Sequence, residues 1–292
     1  MALVAADMTF IRQLVLERSA IALDEKQHYL VEARLLPLAR EAGLPDVAAL
    51  VSTLRNRPFS EQHRRVVEAM TTNETSFFRD IHPFETLRTR VLPKVIESRK
   101  AEKKLTIWCA ACSTGQEPYS IVMLLRDQFP VLRDWSVRLL ASDFSQNMVE
   151  RARRGRYNAL EVGRGLPALC LVKHFDKVGA EWEVKAPLRE AVEWFQLNLA
   201  GPWPSLPTFD IIFIRNVLIY FKPEIRSAIL EKGRRHLAPH GVLFLGTTES
   251  THGLCKSLEP ESGGKTTYYR PVGASVGGGS AVTLAQAGGK GR

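Results

Sequence analysis

A loop suited to a cationic ligand lies at residues 108–118, with the sequence WCAACSTGQEP. It follows the apolar run Leu105–Ala110, which predicts a strand. In an open parallel sheet, ligands bind beyond the carboxyl ends of the strands, and small residues let the backbone approach them closely. Of the glycines that cradle a pyrophosphate only Gly115 is present, and Glu117 would repel phosphate but attract an ammonium group. The loop therefore predicts a cationic or zwitterionic ligand.

A second acidic residue, Asp143, ends the next apolar run, Val137–Ser142. A carboxylate at the tip of the second strand commonly accepts hydrogen bonds from both ribose hydroxyls of an adenosine. The alternative is that Asp143 caps the helix beginning near Ser145, but the adjacent loop favours ribose binding. An adenosine ligand with a cationic amino-acid end is S-adenosyl-L-methionine. We expect it as the cofactor, with S-adenosyl-L-homocysteine as the product.

Residues 73–80, NETSFFRD, form a junction segment between two differently patterned parts of the chain. Its paired phenylalanines should be buried, while Asn73 and Thr75 offer polar groups and Arg79 is held beside them. Taken alone, the segment is a capped linker.

A fourth polar cluster lies in residues 209–221, FDIIFIRNVLIYF, where an apolar strand runs into Arg215 and Asn216. Tyr220 follows closely. A charged and an amide side chain at the end of an apolar strand indicate a functional site, because such groups are seldom used as core filler.

The elements that must position these residues fall into two regions. Residues 8–72 show helical spacing throughout, with a stop and start at Gly43–Asp46, and predict about four helices. Pro37 should kink or restart the second of them. From Leu105 onward, short apolar runs alternate with amphipathic helices, which predicts an α/β fold with a mostly parallel, Rossmann-like sheet.

An exception to that alternation lies between residues 160 and 200. The runs His174–Val178 and Trp182–Lys185 predict a hairpin, part of a small antiparallel β-subdomain at about 160–190. The predicted division is thus an all-α N-terminal domain at 1–72, a linker at 73–88, an α/β domain at 89–271 and a disordered Gly-rich tail at 272–292.

Composition limits the class of protein. The 292 residues carry 40 basic and 31 acidic side chains, a net charge of +9, which suits an acidic partner. No apolar run approaches the length of a membrane span, and no signal peptide is recognisable, so we expect a cytoplasmic protein. The Arg-rich stretch at residues 151–156 is either a solvated helix end or a docking patch.

Six segments in order resemble the chemotaxis receptor methyltransferases, the CheR family. They are NETSFFRD, ACSTGQEPYSIVM, ASDFS, RARRGRY, QLNL and RNVLIYF, and the resemblance covers roughly residues 8–270. It implies that a helical N-terminal domain precedes a Rossmann-like methyltransferase domain at 89–271 with an inserted β-subdomain. It also implies that the linker at 73–88 contacts the cofactor. It also implies methylation of glutamate side chains on chemoreceptor cytoplasmic domains.

The resemblance assigns roles to particular residues. It places Arg79 and Tyr220 at the methyl-transfer centre. It places the cofactor among Asn73, Thr75, Arg79, Glu117, Asp143, Asn198, Leu199, Arg215 and Asn216. In some members the β-subdomain grips a C-terminal receptor peptide. We expect a monomer with neither a nucleic-acid partner nor membrane insertion.

Other chemistries remain as alternatives. Cys109 and Cys112 have a redox or zinc spacing, but no second ligand pair accompanies them, so we expect no metal. A methyltransferase for another substrate, or a non-catalytic scaffold that binds S-adenosylmethionine, would share most of these motifs. Amine methylation typically uses a polar-Pro-Pro-aromatic element, and residues 215–220 contain no proline.

Overall fold

The computed structural model describes residues 3–24 and 28–273. The predicted tail lies outside them, apart from its first two residues. Four helices begin the chain: α1 Ala5–Ser19, α2 His28–Glu41, α3 Val47–Arg55 and α4 Glu61–Ala69. Their number agrees with the prediction from helical spacing.

Of the two outcomes predicted at Pro37, a kink or a restart of the second helix, the restart does not occur. Pro37 lies inside α2, which continues to Glu41 without a restart. The proline costs one backbone hydrogen bond, but Val31, Leu35 and Ala39 are fully buried along one face of the helix. Packing of that face against the bundle core holds the helix together across the proline. Asp46, the last residue of the predicted stop and start, caps α3 and accepts from the amide of Ala49 at 2.9 Å.

The junction segment leads into three short helical pieces, α5 His82–Thr86, a π-helical turn at Leu87–Val91 and α6 Leu92–Ser98. A seven-stranded sheet follows, in the order β6-β2-β1-β7-β8-β10-β9. Its strands are β1 Lys104–Ala110, β2 Ser136–Asp143, β6 Val192–Gln196, β7 Phe209–Ile214, β8 Leu237–Leu245, β9 Leu258–Ser262 and β10 Thr267–Pro271. The first five are mutually parallel, whereas β10 pairs antiparallel with β8 and with β9.

Helices cover both faces of this sheet. They are α7 Gln116–Gln128, α8 Gln146–Arg154, a 3-10 turn at Pro130–Asp134, a second at Leu218–Tyr220, and α12 Pro223–His236. Two hydrophobic clusters lie on opposite sides of β1 because its side chains alternate in direction. Ile107 and Cys109 face one cluster, and Trp108 and Ala110 face the other. The α/β class with a parallel core is confirmed.

The small sheet has the order β3-β5-β4, with strands β3 Arg156–Tyr157, β4 Phe175–Val178 and β5 Glu181–Val184. Three short helices accompany it, α9 Ala159–Gly163, α10 Ala168–His174 and α11 Ala186–Arg189. The predicted hairpin is β4–β5. Its third partner is the two-residue strand β3, which begins at the last residue of the Arg-rich stretch and was not predicted. No helix in the part of the chain that the structure describes is long and apolar enough to cross a bilayer.

Candidate active site

A single cleft lies at the carboxyl edge of the parallel strands, beneath the N-terminal bundle. All ten residues predicted for the site line it: Asn73, Thr75, Arg79, Glu117, Asp143, Asn198, Leu199, Arg215, Asn216 and Tyr220. They come from five separated parts of the sequence. The topology brings them together because β1, β2, β6 and β7 all end at this edge.

Asp143 lies at the end of β2 with 6% of its surface exposed. Its Oδ2 accepts from the amide of Ser113 at 2.8 Å, and its Oδ1 accepts from the amide of Ser145 at 2.9 Å. Burial raises the pKa of this carboxyl to about 6, against the opposing effect of these backbone hydrogen bonds. Each oxygen retains acceptor capacity for a further donor. Ser145, not Asp143, caps α8.

Glu117 and Arg215 form a buried ion pair in the floor of the cleft. Arg215, whose side chain is 1% exposed, donates to Glu117 Oε2 at 2.7 Å and to Asp80 Oδ2 at 2.8 Å. Burial raises the pKa of Glu117, and the positive charge of Arg215 opposes that rise. The pair joins the end of β7 to the first turn of α7. The guanidinium of Arg215 is thus used largely in holding two carboxylates.

The junction segment presents Arg79 to the cleft. An Nη of Arg79 donates to the carbonyl oxygen of Glu74 at 2.8 Å, which uses one of its five N–H groups. Phe78, Asp80 and Ile81 all have positive φ values, of 46°, 67° and 36°. Three positive φ values within four residues indicate a strained segment, and the Arg215–Asp80 bond helps to hold it.

Residues 215–221, the 215–221 loop, carry Asn216 and Tyr220. Asn216 has a φ of 56°, and Tyr220 ends the 3-10 turn Leu218–Tyr220. Arg226 donates to the carbonyls of Phe221 at 2.7 Å and Ile219 at 3.3 Å, so the end of this loop is tied to α12. Tyr220 is half-buried at the cleft.

The end of β6 supplies another wall of the cleft. Asn198 donates from Nδ2 to the carbonyl oxygen of Arg18 at 2.9 Å, and the buried Leu199 follows it. This contact and the bridge between Ile21 and Phe221 attach the N-terminal bundle to the sheet domain.

The sequence analysis did not identify the residues of the N-terminal bundle that line the cleft. Ser19, Ile21, Thr71 and Thr72 also line it. These are ordinary helix-end residues whose placement depends on domain packing. Glu68 was missed as well: it is buried and accepts from the hydroxyl of Ser145 at 2.7 Å. A glutamate in an amphipathic helix is usually solvated, so no local signal marks it.

The donors and acceptors of the cleft suit S-adenosylmethionine. A buried, double-acceptor carboxylate at the tip of β2 matches ribose hydroxyls, and the Glu117 carboxylate at the first turn of α7 matches an ammonium group. The fold and the cleft define an S-adenosylmethionine-dependent methyltransferase with a Rossmann-like sheet.

The chain belongs to the CheR methyltransferase family. The family's "CheR methyltransferase, all-alpha domain" matches residues 6–71, and its "CheR methyltransferase, SAM binding domain" matches residues 73–265. The protein's cofactor is therefore S-adenosyl-L-methionine, and its activity is methyl transfer in chemotaxis.

Relatives agree in sequence over most of their length. The chain is 40% identical to chemotaxis protein methyltransferase Cher2 of Pseudomonas putida, an alignment covering 80% of this chain and 86% of the relative. It is also 40% identical to chemotaxis protein methyltransferase 1 of Pseudomonas aeruginosa, over 85% and 92% of the two chains. With the chemotaxis protein methyltransferase of Vibrio parahaemolyticus the identity is 40%, over 82% and 87%.

Proposed function

We propose that the protein methylates glutamate side chains on the cytoplasmic domains of chemoreceptors, giving glutamate methyl esters and S-adenosylhomocysteine. The observation that carries this proposal is the shared cleft of Arg79 and Tyr220, at which Glu117 and Asp143 also lie. Arg79 and Tyr220 would thus offer a guanidinium and a phenol hydroxyl to an acidic substrate as it meets the cofactor.

The cofactor would be held by groups already in place. Asp143 accepts from the ribose hydroxyls, Glu117 from the ammonium group, and Asn73, Thr75, Asn198, Leu199 and Asn216 complete the walls. Arg215 would act by orienting Glu117 and favouring its ionised form, since its guanidinium binds that carboxylate directly. S-adenosylmethionine supplies an electrophilic methyl group on a positively charged sulfur.

The chain's own residues need only orient the nucleophile. A glutamate side chain is ionised near neutral pH, so no general base is required. Arg79 would hold the incoming carboxylate with its planar fork of donors, and the Tyr220 hydroxyl would donate to the same group. Orientation of this kind can supply about 7–11 kcal/mol of the barrier.

Charge supports an acidic partner. The net charge of +9 favours approach of an acidic surface, and the exposed Arg153 and Arg154 lie at the end of α8 next to the small sheet. We propose that a C-terminal peptide of the receptor binds the β-subdomain as a second contact. We also propose that the protein acts as a monomer in the cytoplasm.

The direct test is a methyl-transfer assay with S-adenosyl-[methyl-³H]methionine and a chemoreceptor cytoplasmic fragment from the same genome. Methyl esters of glutamate are released as methanol by mild base, whereas methyl groups on nitrogen are not. Base-labile label on the receptor fragment supports the proposal. Base-stable label would indicate another substrate atom, and binding of S-adenosylhomocysteine without any transfer would indicate a non-catalytic scaffold.

A further inference from the structure

Glu249 is a buried carboxylate that no site motif includes. It lies in the turn after β8, between the exposed residues Thr248 and Ser250, yet only 9% of its surface is exposed. It does not line the cleft. Sequence patterning alone would place a glutamate in such a polar turn in solvent.

The carboxylate of Glu249 instead gathers five backbone N–H groups. Its Oε1 accepts from the amides of Val217 at 2.9 Å, Leu218 at 2.7 Å and Ile219 at 3.4 Å. Its Oε2 accepts from Asn216 at 2.8 Å and from Gly246 at 2.7 Å. Four of these five amides belong to the 215–221 loop.

These amides are ones that the loop cannot satisfy itself. The first N–H groups of any helix lack partners within the helix, and the 3-10 turn Leu218–Tyr220 has no side-chain cap of its own. Glu249 caps it from a distant part of the chain. Because the turn has only three residues, the direction of its first amides fixes the position of its last residue, Tyr220.

A glycine next to Glu249 leaves the room that this arrangement needs. A Cβ at Gly246 would stand 2.6 Å from Glu249 Oε2 and 2.8 Å from both the backbone nitrogen and Nδ2 of Asn216. The close approach at Gly246 is therefore a second sign, besides the hydrogen bonds, that the turn after β8 packs against the 215–221 loop.

We propose that Glu249 is a positioning residue for methyl transfer, which holds the 215–221 loop so that Tyr220 and Asn216 face the cleft. The inference rests on the proposed function only for the role of Tyr220. Backbone amide donors surround the Glu249 carboxylate, just as they surround an anion bound at a helix N-terminus.

The test combines kinetics with hydrogen exchange, using the full chain, the chemoreceptor fragment and S-adenosyl-[methyl-³H]methionine. Glu249→Ala should lower kcat by about tenfold or more, since misplacement of a catalytic group is costly, and lower S-adenosylhomocysteine affinity by less. Glu249→Gln keeps one acceptor oxygen, so its kcat should lie between those of Glu249→Ala and the wild type. Glu231→Gln is the matched control, because both oxygens of Glu231 also accept from a distant loop, in this case from the hydroxyl of Ser257.

A double-mutant cycle separates positioning from general destabilisation. If Glu249 acts through Tyr220, Glu249→Ala should cost clearly less in the Tyr220→Phe background than in the wild type. Equal costs in both backgrounds, or a folded Glu249→Ala with normal kcat, would overturn the inference.

Hydrogen exchange tests whether Glu249 holds the loop even if no methyl transfer to the fragment is detected. A lack of transfer would count against the proposed function alone. Amides of residues 216–219 should exchange faster in Glu249→Gln than in the wild type or in Glu231→Gln. Unchanged exchange there would show that Glu249 does not hold the loop.

Discussion

Gly165 lies directly against the carbonyl group of Phe77. A Cβ at Gly165 would stand 2.1 Å from that oxygen, and Gly165 also has a φ of +80°. Phe77 packs edge-on against Tyr157 and Phe175 of the small sheet, with ring centroids 5.0 and 5.6 Å away. The inserted subdomain is therefore in contact with the segment that carries Arg79, two residues further along.

Gly165→Ala should destabilise the protein and lower turnover. The new methyl group meets a backbone atom that cannot move without shifting the junction segment, and the positive φ adds strain, together costing about 1–3 kcal/mol or more. Thermal melting and methyl-transfer rates measure the two effects. Gly264→Ala is the control, because Gly264 has a φ of +92° but nothing within 4 Å of its Cβ position. Equal effects of the two variants would argue against the contact.

Asp143→Ala should weaken S-adenosylmethionine and S-adenosylhomocysteine binding together, because both share the ribose. Loss of hydrogen bonds to a charged acceptor should cost about 1.5–3 kcal/mol of binding free energy. Calorimetry measures this, with Asp176→Ala, an exposed aspartate of the small sheet, as the control. Unchanged affinity in a folded Asp143→Ala would remove Asp143 from the cofactor site.

S-adenosylhomocysteine affinity should fall as the pH drops through about 6. Burial raises the pKa of Asp143 to about 6 in the free protein, and ribose hydroxyls donate best to the ionised carboxylate. Binding therefore lowers that pKa and releases a proton below pH 6, with a slope of up to about tenfold in affinity per pH unit. Burial also raises the pKa of Glu117, and protonation of that carboxyl would weaken binding in the same direction. Asp143→Asn should flatten the dependence, and an equally steep slope in that variant would assign the effect to other groups.

Charge reversal of Arg153 and Arg154 should slow methylation of the receptor fragment by about tenfold at low ionic strength and much less at high salt. Both side chains are exposed, whereas Arg151 and Arg156 pair with Glu161 and Glu183. S-adenosylhomocysteine affinity should not change. The control reverses Lys100 and Lys104, exposed lysines near the amino end of β1. If both double variants lost the same methylation rate, or neither lost any, Arg153 and Arg154 would be solvated side chains and not a docking patch.

The parts of the fold that follow local rules could be predicted from the sequence. Buried strands appear as apolar runs, and loops at their carboxyl ends carry Glu117, Asp143 and Arg215 to one edge. The β9–β10 hairpin was not predicted, although the run Thr267–Tyr269 has strand-forming residues next to a Gly-Gly turn.

What escaped prediction depends on contacts between distant residues. Pro37 argues locally for an interruption, but α2 continues past it because one face of the helix is buried. Glu249 and Gly165 look like residues of polar turns until the 215–221 loop and Phe77 fold onto them. The ion pair between Arg215 and Asp80 likewise joins two motifs whose contact neither motif reveals by itself.

The most direct measurement compares turnover with cofactor affinity in Arg79→Ala. Arg79 should orient the substrate carboxylate while contributing little to binding of the product cofactor, so kcat should fall by about 100-fold and S-adenosylhomocysteine affinity should change far less. Arg90→Ala, which removes an exposed arginine from the nearby π-helical turn, is the control. A folded Arg79→Ala with near-normal turnover on the receptor fragment would contradict the account, because glutamate would then be held by some other group.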